Sequence, residues 1–354
     1  MYVFLLVLLA AAAAVEALSL RVRTQHIVRE LSLSETRVEP GAPFALTTRL
    51  ENRHWMPVTY LSVTVSMPLG TVCPAAAKVT AHQRDLRWKD LYRLRWYQRK
   101  THTLPLTLER RGVHSFIITE LEQGDFLGLN TSVAPASLSR ELMVYPTRLE
   151  SAALTEALGS FCGELSARRW LIRDPILTLG VREYTGHEPM NTISWSQTAR
   201  RGELTVREFD YTRSLSCSVI LAVNGIAYNE DALMDRCCAA VRSICEQLAA
   251  RGVAPSLTLN ARLSGYPEAT VRRISGESGR MQDILEALSR AMAMPVSSWD
   301  GLIASCLSAE AEDAAYLLVV PRRSAEAEEL LEVLRVRTGA AVSLIAVEEL
   351  EDAP

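Results

Sequence analysis

No histidine follows His187 in this chain of 354 residues, and the whole sequence holds six. GxGxxG and P-loop strings are missing too, Ser275-Gly276-Glu277-Ser278-Gly279 matching neither, and there is no CxxC pair or zinc-ligand spacing. These gaps exclude the usual sequence signatures of dinucleotide binding, P-loop phosphate binding and structural zinc. Glu277 and Asp283, taken as an acid-base pair, are indistinguishable from ordinary surface carboxylates. The chain is therefore read as a non-enzyme with no catalytic residue, metal, cofactor or small-molecule substrate. A third function class, a hydrolase whose site has no sequence signature, is left to activity screening.

The seven cysteines cannot all pair with one another, and Cys237, Cys238 and Cys245 share one helical stretch, where they read as small buried apolar residues. Free thiols in a reducing compartment are expected. At 48% hydrophobic and 22% charged, the composition excludes disorder and suffices for two domains with separate cores. The net charge of -3 hides two poles. Residues 84–100 are basic and residues 300–354 acidic, which argues against one continuous nucleic-acid surface.

No Lys or Arg precedes the apolar run at residues 3–15, as a secretory n-region requires, and Glu16 is the sole charge between Tyr2 and Leu20. Residues 1–20 are expected to be an uncleaved transmembrane anchor. Arg21, Arg23 and Arg29 follow it and place the rest of the chain in the cytoplasm, a single-pass plasma-membrane protein. The alternative is a cleaved signal and an exported surface-binding protein.

Between residues 32 and 146 short alternating runs such as Phe44-Ala45-Leu46-Thr47-Thr48 and Tyr60-Leu61-Ser62-Val63-Thr64-Val65 are broken by Pro40-Gly41 and Arg111-Gly112, with no long helical period. A β-sandwich is expected there. Within it Arg87, Trp88, Lys89, Tyr92, Arg93, Arg95, Trp96 and Tyr97 interleave cations with aromatics. That pattern describes a half-exposed strand pair with Arg stems over apolar surface, and also fits an anionic leaflet or single-stranded bases.

Residues 147–212 form a linker with the densest polar and aromatic run of the chain. Asn191 or Thr192 is expected to cap a short helix carrying Trp195 and Ala199, and Gly202 to end it before a strand from Leu204. The run contains Arg182-Glu183-Tyr184, His187-Glu188, Asn191, Ile193-Ser194-Trp195, Ala199-Arg200 and Leu204-Thr205-Val206-Arg207. It resembles the bacterial family catalogued as domain of unknown function 58, with His187-Glu188 standing where that family has Gly-Asp and Asn191 where it has Arg. RRGVHSFIITELEQGDFLGL ahead of it resembles the same family, including the turn Asp125-Phe126-Leu127-Gly128. The resemblance implies a membrane anchor, a β-sandwich, a domain similar to von Willebrand factor A, and partnership with a MoxR-type AAA+ ATPase. Arg182, Glu183, Tyr184, Glu188, Trp195, Arg200 and Arg207 become partner-binding candidates, rich in the residue types of binding hot spots. Trp195 is expected to be the buried anchor, with Arg200 and Arg207 making the contact.

From residue 213 strands alternate with helices: 218–223, 256–259, 316–320 and 341–347 extended, 231–251, 280–292 and 325–338 helical. A doubly wound, largely parallel, von Willebrand factor A-like sheet is expected. Ligands of such sheets bind at the carboxyl ends of strands, so Asn224 joins the partner-binding candidates. Von Willebrand factor A domains carry Asp-x-Ser-x-Ser in that loop; here it reads Asn224-Gly225-Ile226-Ala227-Tyr228, without the carboxylate and hydroxyls that compensate a divalent cation. The expected function is a non-enzymatic, membrane-anchored interaction scaffold.

Overall fold

In this computed structural model the described residues are 2–19, 26–74, 79–82, 85–125, 130–169, 178–186, 188–209, 216–227, 229–274, 281–308 and 315–350. Tyr2–Ser19 forms helix α1. At 1.5 Å per residue it reaches about 27 Å, short of the ~30 Å hydrocarbon core of a bilayer, and Glu16 occupies its last turn. Among the described residues no helix is long and apolar enough to cross a membrane. The expected single-pass anchor, and the plasma-membrane placement and topology that followed from it, are corrected accordingly.

The chain divides into two units, Met1–Thr147 with Leu288–Arg290, and Arg148–Ala287 with Ala291–Pro354. The first contains β1 (Ile27–Leu33), β2 (Arg37–Val38), β3 (Phe44–Asn52), β4 (Val58–Pro68), β5 (Val79–Ala81), β6 (Asp85–Leu94), β7 (Arg99–Leu106), β8 (Gly112–Gly124) and β9 (Thr131–Val144). Three strands pair in the order β1-β3-β7 and six in the order β2-β9-β8-β4-β6-β5, antiparallel except for β2 with β9. Period-two burial explains why these residues become strands. Along β3 every second residue from Phe44 to Asn52 is buried, and its neighbours lie half-exposed. Leu31, Leu46 and Leu50 from the smaller sheet share one core with Val63, Trp88, Phe116 and Leu142 from the larger. Phe44 and Phe116 meet edge to face at 5.6 Å.

The second unit opens with α2 (Ala152–Arg169), then β10 (Thr178–Glu183), α3 (Trp195–Arg201) and β11 (Thr205–Phe209). β10 and β11 form a separate antiparallel ribbon. There follow β12 (Ser216–Ala222), α4 (Asp231–Ala250), β13 (Ala254–Asn260), β14 (Arg272–Ile274), α5 (Met281–Arg290), α6 (Trp299–Leu307), β15 (Ala315–Val320), α7 (Ala325–Thr338) and β16 (Ala341–Ala346). The last five strands form a sheet in the order β14-β13-β12-β15-β16. β12 and β15 are buried almost end to end, as strands covered on both faces must be.

The fold expected from the sequence, a sandwich followed by a doubly wound and largely parallel von Willebrand factor A-like sheet, is corrected. The described chain holds more residues in strands than in helices, and those strands are distributed over several antiparallel and mixed sheets. The C-terminal sheet is itself mixed, β14 running antiparallel to β13 with Leu257 opposite Ile274. The reason is local. No helix lies between Asn260 and Arg272, so the chain lacks a crossover long enough for parallel return and turns back on itself. The Arg272-Arg273-Ile274 edge is too polar to be covered.

Candidate partner-binding surface

The signature residues gather on the β10–β11 ribbon and the segment that joins its strands. Val206 is 1% exposed, and Ile193, 4% exposed, bridges to it. This bridge holds Ile193 extended at φ -67°, ψ 129°, so the helix begins only at Trp195 with Ser194 at its N-cap. The expected cap from Asn191 or Thr192 is corrected for that reason. Thr192 Oγ1 instead donates to the Pro189 carbonyl at 2.6 Å, closing a 3-10 turn over Met190–Thr192. Gly202 ends α3 at φ +77°, a left-handed conformation that glycine tolerates without Cβ strain.

What ties α3 to the ribbon is a pair of threonines. Thr198 Oγ1 lies 3.2 Å from Thr205 Oγ1 and accepts the Thr205 N–H at 3.1 Å, while Ser194 N–H donates to the Thr205 carbonyl at 2.9 Å. α3 buries none of its residues, and Trp195 is 62% exposed. Trp195 as a buried anchor is therefore corrected: Ile193 and Val206 do that work, and the indole faces solvent.

Strand register separates the remaining candidates. Arg182 lies opposite Val206, Val181 opposite Arg207 and Glu183 opposite Thr205. Opposed residues share a face and neighbours alternate, so Arg182 projects from one face of the ribbon while Glu183 and Arg207 project from the other. Arg182 is paired with Glu188 at 2.6 Å. Glu188 also accepts from Thr185 Oγ1 at 2.8 Å and Thr185 N–H at 3.0 Å. The Thr185 hydroxyl foremost, then its N–H and the Arg182 guanidinium, outweigh desolvation and hold the Glu188 carboxyl down at about 2. Tyr184 N–H donates to the Leu204 carbonyl at 2.9 Å. His187 lies outside the described residues.

Arg200 and Arg207 are exposed and make no ion pair or hydrogen bond among the described residues. Beside them the sequence reading missed Arg201, Met190 and Leu204, the last two 70% and 45% exposed. Their signal was available: both are apolar residues within a polar run that is too short to build a core of its own.

Asn224 stands apart, at the carboxyl end of β12. Its Nδ2 donates to the Ser297 carbonyl at 3.2 Å and its Oδ1 accepts from Asn260 Nδ2 at 2.7 Å. Asn260, fully buried, donates to the Ser297 carbonyl at 3.0 Å and accepts the Ser297 N–H at 3.0 Å. The Asn224 amide thus joins β12, β13 and the Ser297 loop internally. Next to it Glu230 accepts from Arg322 at 2.7 Å and from Ala227 N–H at 2.9 Å, interactions that hold its carboxyl near 2. Among the described residues no cluster of three or more His, Cys, Asp or Glu can hold a metal ion. Tyr228, Glu277 and the Phe126-Leu127-Gly128 turn lie outside the described residues. A cavity of about 490 Å³ is lined by Ser151, Thr155, Ser243, Glu246 and Gln247, and none of the sequence candidates reaches it.

No protein-family model matches the chain. It is 22% identical over 190 residues to the uncharacterized protein YeaD of Bacillus subtilis (strain 168), a match covering 53% of this chain and 46% of YeaD. The chain therefore spans about half the length of this curated relative. Among solved structures it is similar to a cohesin module from a Clostridium perfringens family 33 glycoside hydrolase, at 12% identity and a TM-score of 0.25 over 34% of this chain and 95% of that one. A type II cohesin domain from the cellulosome of Acetivibrio cellulolyticus gives 7% and 0.26 over 33% and 94%. TM-scores this low bear on neither fold nor function.

Proposed function

We propose that the chain is a non-catalytic interaction module whose β10–α3–β11 surface docks an acidic protein partner. One observation carries the reading: Trp195, Arg200 and Arg207 are exposed and without polar partners among the described residues, on a segment secured from behind by Ile193, Val206 and the threonine pair. An exposed indole and two exposed guanidiniums on one short segment supply the residue types most enriched at hot spots, and the cations select an acidic surface. The resemblance of residues 182–207 to domain of unknown function 58 makes a MoxR-type AAA+ ATPase the first partner to try.

Binding of the full chain to a cognate MoxR-type ATPase, immobilised at low salt, tests this. Arg200→Ala and Trp195→Ala should each lower capture by roughly tenfold, ~1.4 kcal/mol, while the melting temperature stays within a few degrees of wild type. Capture that is unchanged in both variants removes the docking role from this surface.

A further inference from the structure

At one end of the first unit two connections run side by side, both passing from the three-stranded to the six-stranded sheet or back: residues 53–57 between β3 and β4, and residues 95–98 between β6 and β7. Asn52, 1% exposed, joins them, its Nδ2 donating to the Met56 carbonyl at 2.8 Å and the Arg95 carbonyl at 3.1 Å, its Oδ1 accepting from His54 N–H at 3.0 Å. Tyr97 N–H donates to the His54 carbonyl, and Arg53 N–H to the His26 carbonyl, at 3.3 and 3.1 Å. Tyr97 has φ +51°, the one non-glycine residue with positive φ among those described. Such a backbone persists only where its surroundings fix it.

This fixed tip presents Trp55, Trp96 and Tyr97, each more than half exposed, away from the core that the rest of β6 builds with Trp88, Tyr92 and Leu94. Arg93, Arg95 and Lys100 flank Trp96 and Tyr97 in the chain, exposed and without ion pairs among the described residues, while Arg53 and Arg99 share the Glu51 carboxylate. From these positions we infer that the tip is a peripheral docking site for an anionic lipid headgroup surface.

Three features select that occupant. Trp and Tyr rings sit at headgroup depth, where one edge is apolar and the other wet, and here all three are exposed on the two connections between the sheets. Unpaired cations beside them complement an anionic leaflet. His26, whose ring lies tilted 5.1 Å from that of His54, immediately precedes β1, so the chain coming from α1, with its exposed apolar residues, enters β1 at this same tip. Single-stranded nucleic acid would need cations and rings strung along a groove that tracks several phosphates. The contact is interfacial and requires no spanning helix.

Co-sedimentation of the full chain with phosphatidylcholine vesicles, with and without phosphatidylserine, tests the inference. Wild type should partition to the phosphatidylserine vesicles. Trp55→Ser with Trp96→Ser should lower that partition by roughly tenfold with α1 unchanged, and Arg93→Glu with Arg95→Glu should abolish the preference for anionic over neutral vesicles. All four positions are exposed, so the melting temperatures should match wild type; should the tryptophan variant fail to fold, the charge variant decides. Wild type that ignores vesicles, or a folded charge variant that keeps the anionic preference, overturns the proposal. So does saturable binding of a single-stranded oligonucleotide, lost in the charge variant, in place of vesicle binding.

Discussion

Ile193 and Trp195 are two residues apart, one 4% and the other 62% exposed, and the contrast predicts opposite mutants. Ile193→Ala removes buried methyl groups from the bridge to Val206 and should cost ~2–5 kcal/mol. Trp195→Ala should change stability by no more than about 0.5 kcal/mol, as surface substitutions do. Thermal melts of the two variants check this, and a Trp195→Ala protein that unfolds like Ile193→Ala would refute the exposed placement. Sequence alone could not assign the sides, because both are large apolar residues in one polar run and the strand register decides between them. Glu188 offers a residue-scale pH prediction. Its carboxyl is lowered from an ordinary 4.5 to about 2, so its contribution is present above 4.5 and lost as pH falls toward 2. NMR titration of the Glu188 carboxyl should find it ionised at pH 3.5, a value inside that window, and Arg182→Gln with Thr185→Ala should return it toward the ordinary range.

At the scale of elements, positions were legible and relations were not. Period-two runs located β3 and β4, a continuous apolar run located β12, and Gly202, Gly252 and Gly339, each at positive φ, mark helix ends that the sequence announces. The sense of β14 was not legible. Whether a short polar strand returns parallel or antiparallel depends on what fills the preceding connection, and the Asn260-to-Arg272 segment carries no pattern that says so. Asn224 was assigned to recognition because strand ends commonly bind ligands, yet its amide is engaged by Asn260 and Ser297. Asn260→Ala should therefore leave Asn224 and Ser297 with unmet buried polar atoms and cost ~1–3 kcal/mol, measurable by urea denaturation, whereas Asn224→Ala should leave partner capture unchanged.

Across the whole molecule none of the seven cysteines is in a disulfide, and five of them are buried in the second unit. Burial pushes the Cys245 thiol up to about 12 and the Cys306 thiol to about 11, so neither supplies thiolate at neutral pH. Native protein should release colour with a thiol reagent quickly from the half-buried Cys73 and Cys162, and from the other five only as it unfolds. The same scale separates the ribbon from the sheet behind it in sequence. β12 is hydrogen-bonded along its length on both sides, by β13 and β15, while among the described residues β10 and β11 pair with each other and β11 gains only the short bridge from Ile193 and Ser194. A two-stranded ribbon is marginal by itself, and its amides should exchange with deuterium well before those of β12. For a lineage, the docking proposed for this ribbon would uncouple two kinds of selection: substitutions at positions 195, 200 and 207 would change what is recognised, while the mutations that decide whether the chain survives in a cell fall elsewhere.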